Sequence, residues 1–275
     1  MHNIKLWSPN NKKTNLHKFI NQLDKSLNIK NYADLHDWSI KHKNEFWNYV
    51  WDFTNFVGEK KGKIFKSAPE FTKNKFFDEC KINYAENCLT REDDDDSIIF
   101  HSEKKNKRNY SWRELKSAVF KFASYLKNNN IQKNDRIAAI LPNIPETVIS
   151  FLSTAQLGAI WSSCSSDFGK KAIIDRFKQI EPKVLLFSDY YFYNNKKVDT
   201  TKVIKDVIYN IPSIEKIILI PYEFNETDYQ LDFEYDNLYN ILQQEIEYSN
   251  FEKFNFNHPL YIPVSYTHLR AHETQ

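Results

Sequence analysis

The chain has 275 residues, 41% apolar and 27% charged, with only 4 glycines, where an average composition of about 7% would give roughly 19. Gly58, Gly62, Gly158 and Gly169 fall at no spacing that makes a Walker loop or a dinucleotide fingerprint, both of which need close glycines to bring backbone N–H groups against phosphate. With 38 basic against 36 acidic residues, the net charge of +2 gives no long-range pull toward nucleic acid or an anionic membrane.

Aromatic residues make up 16% of the chain, which argues for a folded protein. Cys80, Cys88 and Cys164 are odd in number and lack CxxC spacing, so reduced thiols and a cytoplasmic setting are expected. No apolar run is long enough to predict a membrane span or a signal peptide. Lys, Asn and Ile are abundant, a skew that AT-rich coding produces and that can itself lower the glycine count.

The first 60 or so residues read as helices. Asn15 is expected to cap a helix carrying Leu16, Phe19, Ile20 and Leu23. Phe46, Val50, Phe53 and Val57, with Trp47 and Trp51, form a wide aromatic stripe that suits core packing. Residues 58–78 read as a connecting arm. From residue 97 the pattern changes. Ser97–His101 is β-rich and Lys104–Asn109 a polar turn. Ser111 and Glu114 make a capping box for a helix with Leu115, Val119, Phe122 and Leu126 on one face, ended by Asn128–Asn130. Arg136–Leu141 is a buried-type strand. Pro145 suits the first turn of a helix bearing Val148, Phe151, Leu152 and Ala155, with Gly158 as its left-handed cap. Ala159–Cys164 reads as a strand and Lys170–Gln179 as a helix, followed by strand Val184–Phe187. A helix through Val203, Ile204, Val207 and Ile208 and strand Lys216–Ile220 follow. This alternation predicts an α/β fold, a mostly parallel sheet covered by helices behind a helical N-terminal extension.

Several clusters invite a chemical reading. The acidic run Glu92–Asp96 reads as a solvated loop rather than a cation site. Lys104, Lys105, Lys107 and Arg108 suit a surface hairpin better than a phosphate site, and Cys80 and Cys88 read as structural thiols. His268 and His272 stand i,i+4, but with no Glu beside the first and no third ligand no metal site is expected. The stretch Trp161–Gly169 is more informative. It follows a predicted strand, where open α/β sheets place ligand crevices, and exposes small polar groups, so Trp161, Ser163, Cys164 and Ser165 are crevice candidates. The alternative is a turn that packs a strand end against a helix. A nucleophile here would lack a nearby base, and no catalytic residue is assigned.

These strings line up with one family. Phe46–Phe53 (FWNYVWDF), Ile82–Leu89 (INYAENCL), Asn134–Ile137 (NDRI) and Leu141–Glu146 (LPNIPE) resemble segments of adenylate-forming acyl-CoA synthetases. Gly158–Gly169 (GAIWSSCSSDFG), Asp175–Phe177 and Gln179–Val184 are similar to the acetoacetate-activating branch of that family, and the resemblance spans about residues 5–262. It implies a ligase that makes acetoacetyl-AMP from acetoacetate and Mg2+–ATP, releases diphosphate, and then passes the acyl group to the thiol of coenzyme A (CoA). The alternatives are a ligase for another short acyl acid and a non-catalytic binding or scaffold protein built on the fold. The family continues from a string like His258–Ile262 into a Ser/Thr/Gly-rich phosphate loop. Here residues 263–275 read otherwise, as a non-native tail, so the chain is expected to be an inactive N-terminal fragment with an open sheet edge. The resemblance divides it into a helical extension, 1–95, a partial AMP-binding domain, 96–262, and the tail. It also implies CoA phosphate contacts at Asn195, Lys196 and Lys197, with Asn where the family has glycine.

Overall fold

The structure, a computed structural model, describes residues 14–104, 107–226, 229–245 and 247–264. These fall into two compact units, one running to Lys81 with Asn255–Asn257, the other from Ile82 to Phe254 and onward from His258.

The first unit is built on α1 (Asn15–Gln22), α2 (Tyr32–Lys41) and α3 (Lys43–Phe53). The cap of α1 is Thr14, whose hydroxyl accepts from the His17 N–H. Asn15 is instead the first helical residue, so the expected cap is corrected by one position. Phe19, Leu23, Leu35 and Trp38 form the core, and Phe46, Tyr49, Val50 and Phe53 of α3 pack against it. The aromatic stripe is therefore a packing face, though Val57 lies past the helix end. Residues in the expected arm pair as a short antiparallel ladder, β1 (Phe65–Lys66) with β2 (Lys75–Phe76).

The second unit opens with α4 (Tyr84–Cys88) and a hairpin, β3 (Asp96–His101) with β4 (Lys107–Ser111). The polar turn anticipated over Lys104–Asn109 is thus shorter, and its second half is strand. Next comes α5 (Trp112–Asn128), with the Ser111–Glu114 capping box formed in both directions. Then follow β5 (Arg136–Ile140), α6 (Pro145–Gln156), β6 (Ile160–Cys164), α7 (Lys170–Ile180) and β7 (Val184–Ser188). A second hairpin, β8 (Tyr190–Tyr193) with β9 (Lys196–Asp199), precedes α8 (Thr201–Asn210), β10 (Lys216–Ile220), β11 (Asp236–Asn237) and α9 (Leu238–Ile241).

Among the described residues five strands make one parallel sheet, in the order β11-β10-β7-β5-β6. Side chains alternate along each strand. Ile137, Ala139, Val184, Leu186, Ile218 and Ile220 share a cluster with α5 and α6. Ala138, Ile140, Leu185, Phe187 and Leu219 share the other with Ile173 and Phe177 of α7 and Ile204 and Val207 of α8. Both faces are covered, so the strands read as near-continuous apolar runs. Helix α6 is buried on more sides than its spacing suggested: Ile149, Leu152 and Ala155 are buried together with Glu146, Ser150, Ser153 and Gln156, while Val148 is exposed.

The glycine shortage leaves a mark on the backbone. Asn28, Asn55, Asn130, Asn134, Asn194 and Asn195 all take left-handed φ. Asn is the residue that best tolerates this conformation after glycine, because its short polar side chain bonds locally. Asparagine thus does at these turns what glycine does in most chains.

Candidate functional site

In a parallel sheet all strand C-termini lie along one edge. Here the chain runs from β5 out to β6 and then returns past β5 to β7, so the order reverses between β5 and β7. That reversal is where doubly wound sheets open a crevice.

The protein fills this place with its own polar groups. Glu146, at the second position of α6 and 0% exposed, receives both ends of the Arg108 guanidinium, Nη1 to Oε1 at 2.6 Å and Nη2 to Oε2 at 3.1 Å. The Tyr110 hydroxyl donates to the same Oε1 at 2.9 Å. Burial pushes the Glu146 carboxyl up from its usual range, against the pull of Arg108. Burial, then the Glu146 charge, holds the Tyr110 phenol well above its ordinary value. Arg108 Nη2 also donates to the Tyr222 carbonyl at 3.3 Å, and its guanidinium lies over the Phe100 and Phe224 rings. The Tyr222 N–H donates to Asp189 Oδ1 at 2.8 Å, and the Tyr229 hydroxyl to Asp189 Oδ2 at 2.7 Å. One network therefore ties the β3–β4 hairpin, the start of α6 and the ends of β7 and β10. Beside it lies a cavity of about 340 Å³ lined by Phe100, Arg108, Tyr222, Glu223 and Asn225.

The Trp161–Gly169 stretch ends the edge strand β6, one strand away from the reversal. Trp161 is buried against Phe151 on the α5–α6 face. Cys164 is buried on the opposite face, and burial pushes its thiol up to about 12. Neither lines an open crevice. Ser163 and Ser165 point elsewhere: Ser165 is exposed in the turn, and Ser163 Oγ lies 3.0 Å from the Tyr261 hydroxyl. Residues 260–262 run beside β6, with Trp161 N–H donating to the Leu260 carbonyl and Ile262 N–H to the Trp161 carbonyl. The edge expected to stand open is covered at this point, and Tyr261 joins the site with no signal in the sequence. Alkylation distinguishes a packed turn from an open one. Iodoacetamide at pH 8 is expected to label the half-buried Cys88 ahead of Cys80 and Cys164, which are 0% and 6% exposed. Early labelling of Cys164 in a peptide map would show that the turn opens.

The third feature is the β8–β9 hairpin. Its two-residue turn is Asn194-Asn195, both left-handed, as hairpin turns matching strand twist require. Asn195 donates its N–H to Glu103 Oε2 at 2.7 Å. Lys196 is exposed, and the Lys197 ammonium sits 3.6 Å from the Tyr190 ring centre. The structure therefore places Asn195, Lys196 and Lys197 together at one tip, remote in sequence from Ser163 and Ser165.

The remaining candidates are accounted for locally. Arg91 pairs with Asp93 and Asp95, Arg113 with Asp94 and Lys116 with Glu92, and Asp96 accepts from the Asn109 side-chain amide, so the acidic run is met by groups of the chain itself. Among the described residues no group of three His, Cys, Asp or Glu is arranged for a metal. Lys104 and Lys107 lie on the β3–β4 hairpin as expected, but Arg108 turns inward to Glu146. Lys105, His268 and His272 lie outside the described residues.

The AMP-binding enzyme family matches residues 85–252, the whole of the parallel sheet and the hairpins around it. The chain belongs to that family. An acetoacetyl-coenzyme A synthetase of Rhizobium meliloti (strain 1021) is 33% identical over 247 residues, 85% of this chain and 36% of the relative. One from Xenopus tropicalis is 31% identical over 280 residues, 94% of this chain and 41% of the relative. The solved acetoacetyl-CoA synthetase from Streptomyces lividans superposes with a TM-score of 0.82 at 26% identity, covering 91% of this chain and 39% of that one. The chain thus spans about two fifths of the length of these AMP-binding relatives. Among its described residues no helix is long and apolar enough to cross a membrane.

Proposed function

We propose that the chain is the N-terminal part of an AMP-forming acid–thiol ligase that converts acetoacetate, ATP and CoA into acetoacetyl-CoA, AMP and diphosphate. The observation that carries this reading is its match to acetoacetyl-CoA synthetases over 85–94% of its length. In this reading residues 1–95 are the helical extension, 96–262 part of the AMP-binding domain and 263–275 a non-native tail. The partners are small molecules, with neither nucleic acid nor membrane, and the setting is cytoplasmic.

Of the cofactors, CoA fits residues present here. The β8–β9 tip offers a left-handed turn with an outward N–H, already bonded to a carboxylate, beside Lys196 and Lys197. These are the groups that hold a phosphate. CoA supplies the thiol that accepts the acyl group; Asn195, Lys196 and Lys197 bind and orient its phosphates. Ser163 and Ser165 form the polar rim of the β6 turn, with Trp161 and Cys164 packed beneath as its support. ATP and Mg2+ do not fit these residues in the same way: the four glycines make no phosphate loop. The 275 residues alone are accordingly proposed to be inactive.

The test is AMP release from ATP. A gene product extending through the family's phosphate loop is expected to release AMP only when acetoacetate and CoA are both present, and the 275-residue chain to release none. Faster turnover of another short acyl acid would replace acetoacetate as the substrate. AMP release by the 275 residues would overturn the assignment of inactivity.

A further inference from the structure

Glu103 lies in the β3–β4 turn, 92 residues before the amide it bonds. It is exposed, yet its carboxylate reaches across to the Asn195 N–H on another hairpin. Lys196 follows Asn195 directly and is exposed, while on the hairpin face that carries Tyr190 and Phe192 the Lys197 ammonium lies 3.6 Å from the Tyr190 ring centre and the Lys104 ammonium 5.5 Å from the Phe192 ring centre. A left-handed turn that presents its N–H on a lysine-bearing hairpin is a seat for an anion. Glu103 is bonded there as a ligand's anion would be.

We infer that Glu103 is an internal competitor for this seat: a phosphomonoester-bearing ligand binds by displacing the Glu103 carboxylate from the Asn195 N–H, and Glu103 thereby sets the affinity of the tip. This rests on the reading that the tip meets the phosphates of CoA. The physical basis is charge. A carboxylate carries one negative charge, whereas a phosphomonoester carries about 1.5–2 at neutral pH, with three acceptor oxygens. Beside Lys104, Lys196 and Lys197 the greater charge wins. The displaced carboxylate returns to water on a flexible, exposed side chain, which costs little. A singly charged carboxylate ligand gains nothing over Glu103 and is turned away. The device therefore favours phosphate over the carboxylates that abound in solution. It also makes binding weaken below about pH 6, where the phosphomonoester loses its second charge.

The probe is adenosine 3′,5′-bisphosphate, titrated calorimetrically into the 275-residue chain. Glu103→Gln keeps the shape but weakens the internal bond by removing its charge. It is expected to tighten binding about three- to tenfold. The double variant Lys196→Ala/Lys197→Ala is expected to loosen it by a similar factor. Glu103→Asp, one methylene shorter, is the second variant should E103Q fail to fold, with the same direction expected. Unchanged or weaker binding in the Glu103 variants, with the lysine variant still loosened, would overturn the competitor role and leave the CoA reading standing. Indifference of binding to both sets of variants, or no binding at all, would overturn both.

Discussion

Glu146→Ala is expected to lower the unfolding free energy by about 3–5 kcal/mol, the cost of leaving one member of a buried ion pair alone. Glu146 is fully buried and Arg108 20% exposed, and the pair is bidentate. Removing the carboxylate strands the guanidinium against Phe100 and Phe224 and leaves the Tyr110 hydroxyl without its acceptor. A cavity term adds to the loss. The double variant Arg108→Met/Glu146→Leu separates charge from volume. Apolar groups of similar size in place of both partners are expected to restore most of the stability. Urea unfolding of the three proteins measures this. A double variant as unstable as Glu146→Ala would show that the network, not the stranded charge, is what matters.

Gly158→Ala is expected to cost about 2–5 kcal/mol. The residue follows the end of α6 with φ +67°, and a left-handed side chain costs about 1–2 kcal/mol by itself. Its N–H bonds the Ala155 carbonyl and the next N–H bonds the Thr154 carbonyl, the two bonds of a Schellman motif. A β-carbon there would stand 2.6 Å from the Phe254 ring. Overpacking of this kind adds about 1–3 kcal/mol. The Gly158 carbonyl also accepts from the Asn134 N–H and lies 2.8 Å from His258 Nε2, so the ring cannot retreat without disturbing a crowded corner. The same urea titration reads the loss, and a change below about 1 kcal/mol would mean that Phe254 moves aside freely.

The parallel sheet was legible because its strands are buried on both faces. Lys216–Ile220 stands as the pattern placed it, and α5 begins at its capping box. The hairpin over Tyr190–Asp199 was not legible. Its turn is Asn-Asn in a chain that spends asparagine freely, so the residues that bend the backbone carried no contrast. Strand β11 and helix α9 are too short to show a period. Resemblance singled out Lys196 and Lys197, but nothing in the sequence pointed to the Glu103 carboxylate on their turn. The Arg108–Glu146 pair joins a hairpin read as a surface element to a helix read by its apolar face. One signal was present: Glu146 stands three residues before Ile149 and six before Leu152, on the side of α6 that turns inward. Which cation meets it depends on pairing between distant strands, and local spacing does not encode that.

The strip at residues 260–262 has a consequence in time. It pairs with the edge of β6, and Ser162 Oγ bonds the Ile262 carbonyl 100 residues further on. A ribosome adds about 5–20 residues per second. The flank of β6 therefore waits some seconds, of order 5–20 by that rate, between its own synthesis and the arrival of its cover. During that interval the row of unpaired amides on Trp161 and its neighbours is open to any extended segment nearby. Slowing translation between codons 164 and 260 lengthens the exposure. Nascent chains paused there are where chaperone capture would concentrate.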